Sequence, residues 1–296
     1  MGSAYRVEFE RVARMAYSQW NREPSSPSFG CFDRAWWGWK KKDFPDATLQ
    51  YAVKLAVEYA RRSERTAGLG SLLEGYVRFM ASSQRRDGSF DQCYPNERAP
   101  GVIYDILSTL LYVRQTPFLP PAARAELEGV LYRALTFAES ADETHGQIAN
   151  HLAEYAFELL NAARVLGRES AHRKGMGYLD RTLGLFHPDE GWFEEYRGPD
   201  PGYQTRTLRY LYKCSELLDD PGLWGVVRGA ARFIETVLMP DGSLHPMLGV
   251  RSTAVIYPAA FEKLASRHEE FQPLAARIRA GWERGRVPLP SWLDFE

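Results

Sequence analysis

Four groups of residues in this chain combine types and spacings that can do chemistry. Asn150 and His151 stand together at the start of a helical pattern. Imidazole is the usual general acid or base near neutral pH, and an amide beside it can bind a carboxylate or orient the ring. A second group lies in HPDEGWFEEYRGPDPGYQTRTLRYLY, His187 to Tyr212, where Trp192, Glu195, Tyr196, Arg197 and Tyr203 fall around two turn signals. A phenol is a poor base at its ordinary pKa, but Arg197, Arg206 and Arg209 are near enough in sequence to stabilise a phenolate. The third group is FDRAWWGWKKKDF, Phe32 to Phe44. Trp36 and Trp37 can stack on sugar faces, and Arg34 and Lys40, with Asp33 beside them, can hold a carboxylate. The fourth is DGSLHPMLGVRSTAVIY, Asp241 to Tyr257, a long non-helical run carrying His245, Arg251 and Tyr257.

Each group also admits a structural reading. Trp192 and Phe193 can plug the space between helices, the tryptophans near Trp36 can close a loop, and His151 and Asn150 can be helix-boundary residues. Glu194, Glu195, Arg197 and Asp200 are expected to stay solvated, because burying charge is costly unless it is paired.

The elements that must position these residues are helices. Patterns of apolar spacing predict helices over Ala47–Ser63, Gly68–Arg85, Val102–Arg114, Pro121–Ala138, Ile148–Leu166, Ala171–Leu185, Tyr203–Leu218, Gly222–Leu238 and Phe261–Gly285. The clearest is Ile148–Leu166, whose stripe runs through Leu152, Tyr155, Leu159 and Ala163, with Asn150, Glu154 and Glu158 toward the polar face. Nothing alternates long enough to form a sheet; Val250 to Tyr257 is expected as loop or short strand. Turn-rich loops recur at Gly30, Arg86, Asp142, Pro188 and Pro240, roughly every 50 residues, the length of a helical hairpin. The expected architecture is therefore all-α: a toroid of helical hairpins, an incomplete (α/α)5-6 barrel with little or no sheet. That domain would span 1–286, with 287–296 a Pro-rich tail or truncated linker.

Composition narrows the function. Among 296 residues the net charge is −1, which argues against a nucleic-acid binder. The three cysteines, Cys31, Cys93 and Cys214, make neither a disulfide framework nor a metal knuckle. No run is long and apolar enough to be a membrane span, and the first residues read as an amphipathic helix and not a signal peptide. The chain as given therefore reads as cytoplasmic, or as periplasmic or secreted if a leader has been trimmed. No Walker loop, GxGxxG, HExxH, GxSxG or EF-hand pattern is present, and no cofactor or metal is expected. QRRDGSF resembles the repeats of terpene cyclase toroids, in architecture more than in chemistry.

Asn150-His151 at a helix start, EGWFEEYRGPDPGYQ before a helix, and the DGSL, GVRST, YP and FE sequence near the C-terminus together resemble the helical toroid domain of heparinase II/III-type and alginate-lyase-type polysaccharide lyases. The resemblance covers roughly Asp33 to Glu262 through short motifs. It implies β-elimination on a uronate polysaccharide, with Asn150 and His151 neutralising the sugar carboxylate, Tyr203 as acid or base, and His245 and Arg251 as helpers. The expected partner is an acidic oligosaccharide or polysaccharide. Those lyases usually carry a C-terminal β-sandwich that supplies a histidine; no such domain is read in this sequence, so the expectation is either a fragment whose β-sandwich partner is missing or a minimal relative. Two other functions fit the same residues: a toroid glycoside hydrolase drawing on Asp33, Asp43, Glu194 and Glu195, or a non-catalytic module that binds glycan or protein.

Overall fold

The computed structural model describes residues 3–26, 28–32, 48–91, 96, 98, 100–144, 146–245 and 247–288. Among them the chain is all-α. The helices are α1 (Ser3–Ser18), α2 (Ala52–Arg62), α3 (Leu69–Ser83), α4 (Pro100–Gln115), α5 (Pro121–Ser140), α6 (Ala149–Leu166), α7 (Glu169–Gly184), α8 (Pro201–Leu218), α9 (Pro221–Val237), α10 (Ala259–Arg267) and α11 (Gln272–Glu283). One short antiparallel ladder joins β1 (Phe186–His187) to β2 (Trp192–Phe193). The segment from Arg251 to Tyr257 is loop. None of the helices is long and apolar enough to cross a membrane.

The expected helix Phe261–Gly285 is two helices. His268 is extended (φ −137°, ψ 113°), and a 3-10 turn at Glu269–Phe271 leads into α11. Pro273 explains the break: it has no N–H to give, and its ring would strike the carbonyl four residues back, at Glu269.

The chain divides into two compact units, one built on 6–143 and the other on 144–290 with the first residues of the chain. In the 6–143 unit, α2 packs on α4, α3 on α5, and α4 on α5. In the 144–290 unit, α6, α8 and α10 pack on one another in turn, and each is backed by the helix that follows it. Helix α6 is buried on nearly every side, including Asn150, Glu154 and Glu158, which periodicity assigns to a polar face. A helix gripped by two neighbours has no outward face left, and its alanines let them close in. Gly175 of α7 sits so near that a Cβ there would come within 2.9 Å of the Leu160 side chain.

Two of the recurring loops are the same device. After α3, Asp87 Oδ1 accepts the Ser89 main-chain N–H at 3.1 Å; after α9, Asp241 Oδ1 accepts that of Ser243, also at 3.1 Å. Between them Gly88 and Gly242 take left-handed conformations (φ 92° and 86°). Each glycine presses on the helix two further along. An added Cβ would lie 2.1 Å from the Arg133 carbonyl oxygen of α5 or 2.3 Å from that of Arg277 in α11.

Candidate functional site

The site grows from the starts of α6 and α8. Helix α8 begins at Asp-Pro-Gly. Asp200 is the N-cap, its Oδ1 accepting the Tyr203 N–H at 3.2 Å, and Pro201 occupies a first-turn position where its missing N–H costs nothing. Asp220-Pro221-Gly222 starts α9 in the same way. Helix α6 has no such local cap, because its N-cap residue is Ile148. A carboxylate from elsewhere serves instead. Glu195 Oε1 accepts the Asn150 main-chain N–H at 2.9 Å, and Oε2 accepts Asn150 Nδ2 at 2.8 Å. Thr207 Oγ1 of α8 adds a longer contact of 3.4 Å.

Glu195 and Asp200 are both fully buried, against the expectation that this cluster stays in water. The desolvation is offset by donors and not by opposite charge. Asp200 Oδ2 also takes the N–H groups of Arg251 (2.9 Å) and Thr253 (3.4 Å), which ties the 249–253 loop to the start of α8. Burial pushes the Glu195 carboxyl up to about 7, with the Asn150 hydrogen bonds pulling the other way. At neutral pH this group is poised between its two protonation states.

Between these carboxylates the chain reverses at Tyr196 and Arg197. Glu195 and Gly198 exchange main-chain hydrogen bonds of 2.7 and 3.0 Å, making a two-residue hairpin turn. Both central residues are left-handed, with φ 47° at Tyr196 and 72° at Arg197. Such turns prefer Asn and Gly, and a bulky residue there is strained by about 1–2 kcal/mol. The strained turn holds Tyr196 40% exposed, with its ring centre 6.3 Å from that of Tyr203 in the first turn of α8. The Arg251 guanidinium lies over the Tyr196 ring at 4.7 Å. Arg251 is exposed, as is Arg197 beside Tyr196 in the chain, so one accessible phenol lies under a solvent-facing cation.

The structure thus brings together Asn150, Glu195, Tyr196, Arg197, Tyr203 and Arg251. His151 follows Asn150 in α6, half-buried, with its ring centre 6.0 Å from that of Tyr155. Three expected residues have other employment. Trp192 is stacked on His187 at 3.8 Å, and its indole N–H goes to Glu190. Tyr257 is buried, its N–H bonded to Thr205 Oγ1 and its ring 5.7 Å from the Arg209 guanidinium. His245 is exposed in the turn after α9, where its Nδ1 accepts the Met247 N–H at 3.2 Å. Asp33, Arg34, Trp36, Trp37 and Lys40 lie outside the described residues.

Sequence reasoning missed Gln204 and the pair Glu154–Arg206. Gln204 is fully buried and holds β2 in place: its Oε1 accepts the Phe193 N–H, and its Nε2 donates to the Gly191 and Ala230 carbonyls. Arg206 Nη2 donates to Glu154 Oε2 at 2.8 Å across the α6–α8 contact. The spacing Asn150, Glu154, Glu158 was the available signal, one polar ridge at every fourth residue. Among the described residues no cluster of three or more His, Cys, Asp or Glu side chains is placed to hold a metal ion. A surface depression of about 400 Å³ beside Arg164 and His172 lies at the C-terminal end of α6 and includes none of the site residues.

Comparison with known proteins finds no matching family model and no curated protein of matching sequence.

Proposed function

We propose that this chain is a carbohydrate-active enzyme, a polysaccharide lyase that cleaves an acidic, uronate-containing polysaccharide by β-elimination. The observation that carries the reading is the pairing of Tyr196, on a strained, exposed turn, with Tyr203 of α8, the Arg251 guanidinium lying over the Tyr196 ring. In the reaction a base removes the proton α to the uronate carboxylate. Its electrons form the new carbon–carbon double bond, the glycosidic carbon–oxygen bond breaks, and the leaving oxygen takes a proton. Negative charge develops on the carboxylate as this happens, and positioned cations and donors stabilise it.

Arg251, Arg197 and His151 are suited to that role. Asn150 is less so, because one of its amide N–H groups is already committed to Glu195. Burial, and then the neighbouring Tyr203, raise the Tyr196 phenol above its ordinary value, with Arg251 acting in the opposite direction. A phenol that keeps its proton is suited to donating it to the leaving oxygen, which leaves Tyr203 as the base. The serial packing of α6, α8 and α10, each backed by the next helix, supports the reading of the fold as part of an α/α toroid.

A hydrolase needs two carboxylates facing one sugar across the scissile bond. Of the four carboxylates that reading draws on, Asp33 and Asp43 lie outside the described residues, Glu195 is buried on the N–H donors of Asn150, and Glu194 is partly exposed, so the described residues show no such pair.

The test is ultraviolet absorbance during incubation with alginate, pectin, glycosaminoglycans and bacterial capsule polysaccharides. Elimination makes a conjugated product and hydrolysis does not. The expected result is a rising signal that Tyr203→Phe lowers by about 10²–10⁴-fold, the usual worth of a positioned acid or base. New reducing ends without absorbance would sink the lyase in favour of the hydrolase; binding without turnover would leave a glycan-binding module.

A further inference from the structure

While Glu195 is ionised, the amide of Asn150 has one orientation open to it. An ionised carboxylate only accepts hydrogen bonds. Glu195 takes the main-chain N–H of Asn150 on one oxygen and its Nδ2 on the other. A reversed amide would set Oδ1 against Oε2, two acceptors in contact with no proton between them. Oδ1 therefore points away from Glu195, and it is buried without a hydrogen-bond partner among the described residues. One helical turn on, Glu154 repeats the situation. Its Oε2 accepts from Arg206, while its Oε1 is buried and has no partner. Residues four apart share a helix face, with Cβ atoms about 5–6 Å apart. Buried acceptors left empty lose the hydrogen bonds they would make in water, and folded proteins seldom leave them so.

We infer that Asn150 Oδ1 and Glu154 Oε1 form a two-acceptor subsite for an O–H donor, a sugar hydroxyl or the water that stands in for it, with Glu195 as the positioning residue that turns the Asn150 carbonyl toward it. A substrate carboxylate is the wrong partner here, since it would bring acceptors to acceptors. The subsite gives Asn150 the opposite role to a carboxylate neutraliser: it reads a hydroxyl, and the anionic group is left to the arginines of the turn. The sugar as the source of the hydroxyl rests on the lyase reading, whereas the water does not. A buried water with two or more polar partners is an ordinary part of a protein interior.

The experiment follows the full chain by NMR, free and with a trimer of galacturonic acid as the probe. The Asn150 side-chain amide is identified by its absence in Asn150→Asp. The expected result is an Nδ2 proton protected from exchange, whose resonance moves in Glu195→Gln, and a long-lived water with cross-peaks to Asn150 and Glu154. Loss of those cross-peaks on adding the trimer assigns the donor to a sugar hydroxyl. Their persistence assigns it to water, and either result sustains the subsite.

An Asn150 amide unmoved by Glu195→Gln overturns the inference. So does a free protein with no long-lived water whose Asn150 amide also ignores the trimer; a trimer-induced shift in that case sustains the sugar source. Glu154→Gln is the second variant, because its amide can put an N–H donor where the subsite has an acceptor. Loss of the water cross-peak with the Asn150 resonance retained is expected, and an undiminished cross-peak counts against the subsite. Failure of the lyase reading registers separately, as no absorbing product with these resonances unchanged.

Discussion

The loop after α9 and the loop after α7 hold equivalent places, each leaving one helical hairpin and entering the next. Each presses a left-handed glycine on the helix two further along, Gly242 against Arg277 in α11 and Gly191 against Gly229 in α9. The first opens with a plain turn, where Asp241 bonds Ser243 and the Met239 N–H reaches the Ser243 carbonyl at 2.8 Å, before running on to Arg251. The second inserts the β1–β2 ladder and then a further turn at Tyr196 and Arg197 that a helix connection does not need. That addition carries the strain, the exposed phenol and Arg197, while the guanidinium over the phenol, that of Arg251, reaches it from further along the loop after α9. What the fold requires is supplied by the glycine; the extra turn costs stability and exposes chemistry, and strain of that kind concentrates where function does.

The largest expected effect strikes the shared part. Gly242→Ala or Gly88→Ala drives a Cβ into a helix carbonyl and forces an unfavourable φ, so a loss of about 3 kcal/mol or more is expected in urea unfolding. Gly167→Ala is the control. Gly167 is also left-handed (φ 66°), but a Cβ there meets nothing within 4 Å, so only the conformational cost of about 1 kcal/mol remains. Equal losses at Gly242 and Gly167 would break the comparison, since contact with the next helix would then contribute nothing.

A smaller effect tests the cap that α6 borrows. The Glu195 carboxyl rises from 4.5 to about 7 on folding, chiefly through burial. The folded state therefore binds the proton more tightly, so this group's contribution is fully present below about pH 4.5 and is lost as pH climbs through 7. At about 1.4 kcal/mol per pKa unit the slope amounts to roughly 3 kcal/mol. Glu195→Gln is expected to remove it, seen as flat stability from pH 5 to 8 relative to the parent chain on the order of that amount. An unchanged slope would mean that the start of α6 is held by something other than this carboxylate.

These regions differ in how far the sequence foretells them. Helices α3 to α9 lie within a few residues of their apolar periods, because a helix packed on a stripe needs little more than that stripe. The recurring loops were legible for a similar reason: Gly88 and Gly242 sit where side chains cannot. Tyr196, Tyr203 and Arg251 could be nominated by type, yet their meeting depends on Asp200 collecting main-chain N–H groups from a loop some fifty residues on, which no local pattern encodes. The burial of Glu195 was read the wrong way round. Its charge is offset by the bare end of α6, a partner visible only once Ile148 is seen to leave that helix uncapped. Trp192 attracted attention as an aromatic beside charges and proved to belong to the ladder, stacked on its cross-strand neighbour His187.

The smallest expected effect separates the strain of the added turn from its charge. Arg197→Gly relieves a left-handed φ of 72° and is expected to stabilise the chain by about 1 kcal/mol, whereas Arg197→Ala removes the same guanidinium without relief. If the turn exists to present groups to a ligand, both variants lose turnover on the polysaccharide that the absorbance screen identifies, and only the glycine variant gains stability. The ratio between them is the informative quantity. Turnover that falls in step with the lost charge alone would assign Arg197 to holding the substrate anion. A further loss in the glycine variant would show that the rigid left-handed pair is what keeps Tyr196 within reach of Tyr203, because glycine widens the turn's conformational choice just as it relieves the strain. Full activity in both would detach the turn from catalysis and leave it a connection like the turn at Asp241 to Ser243.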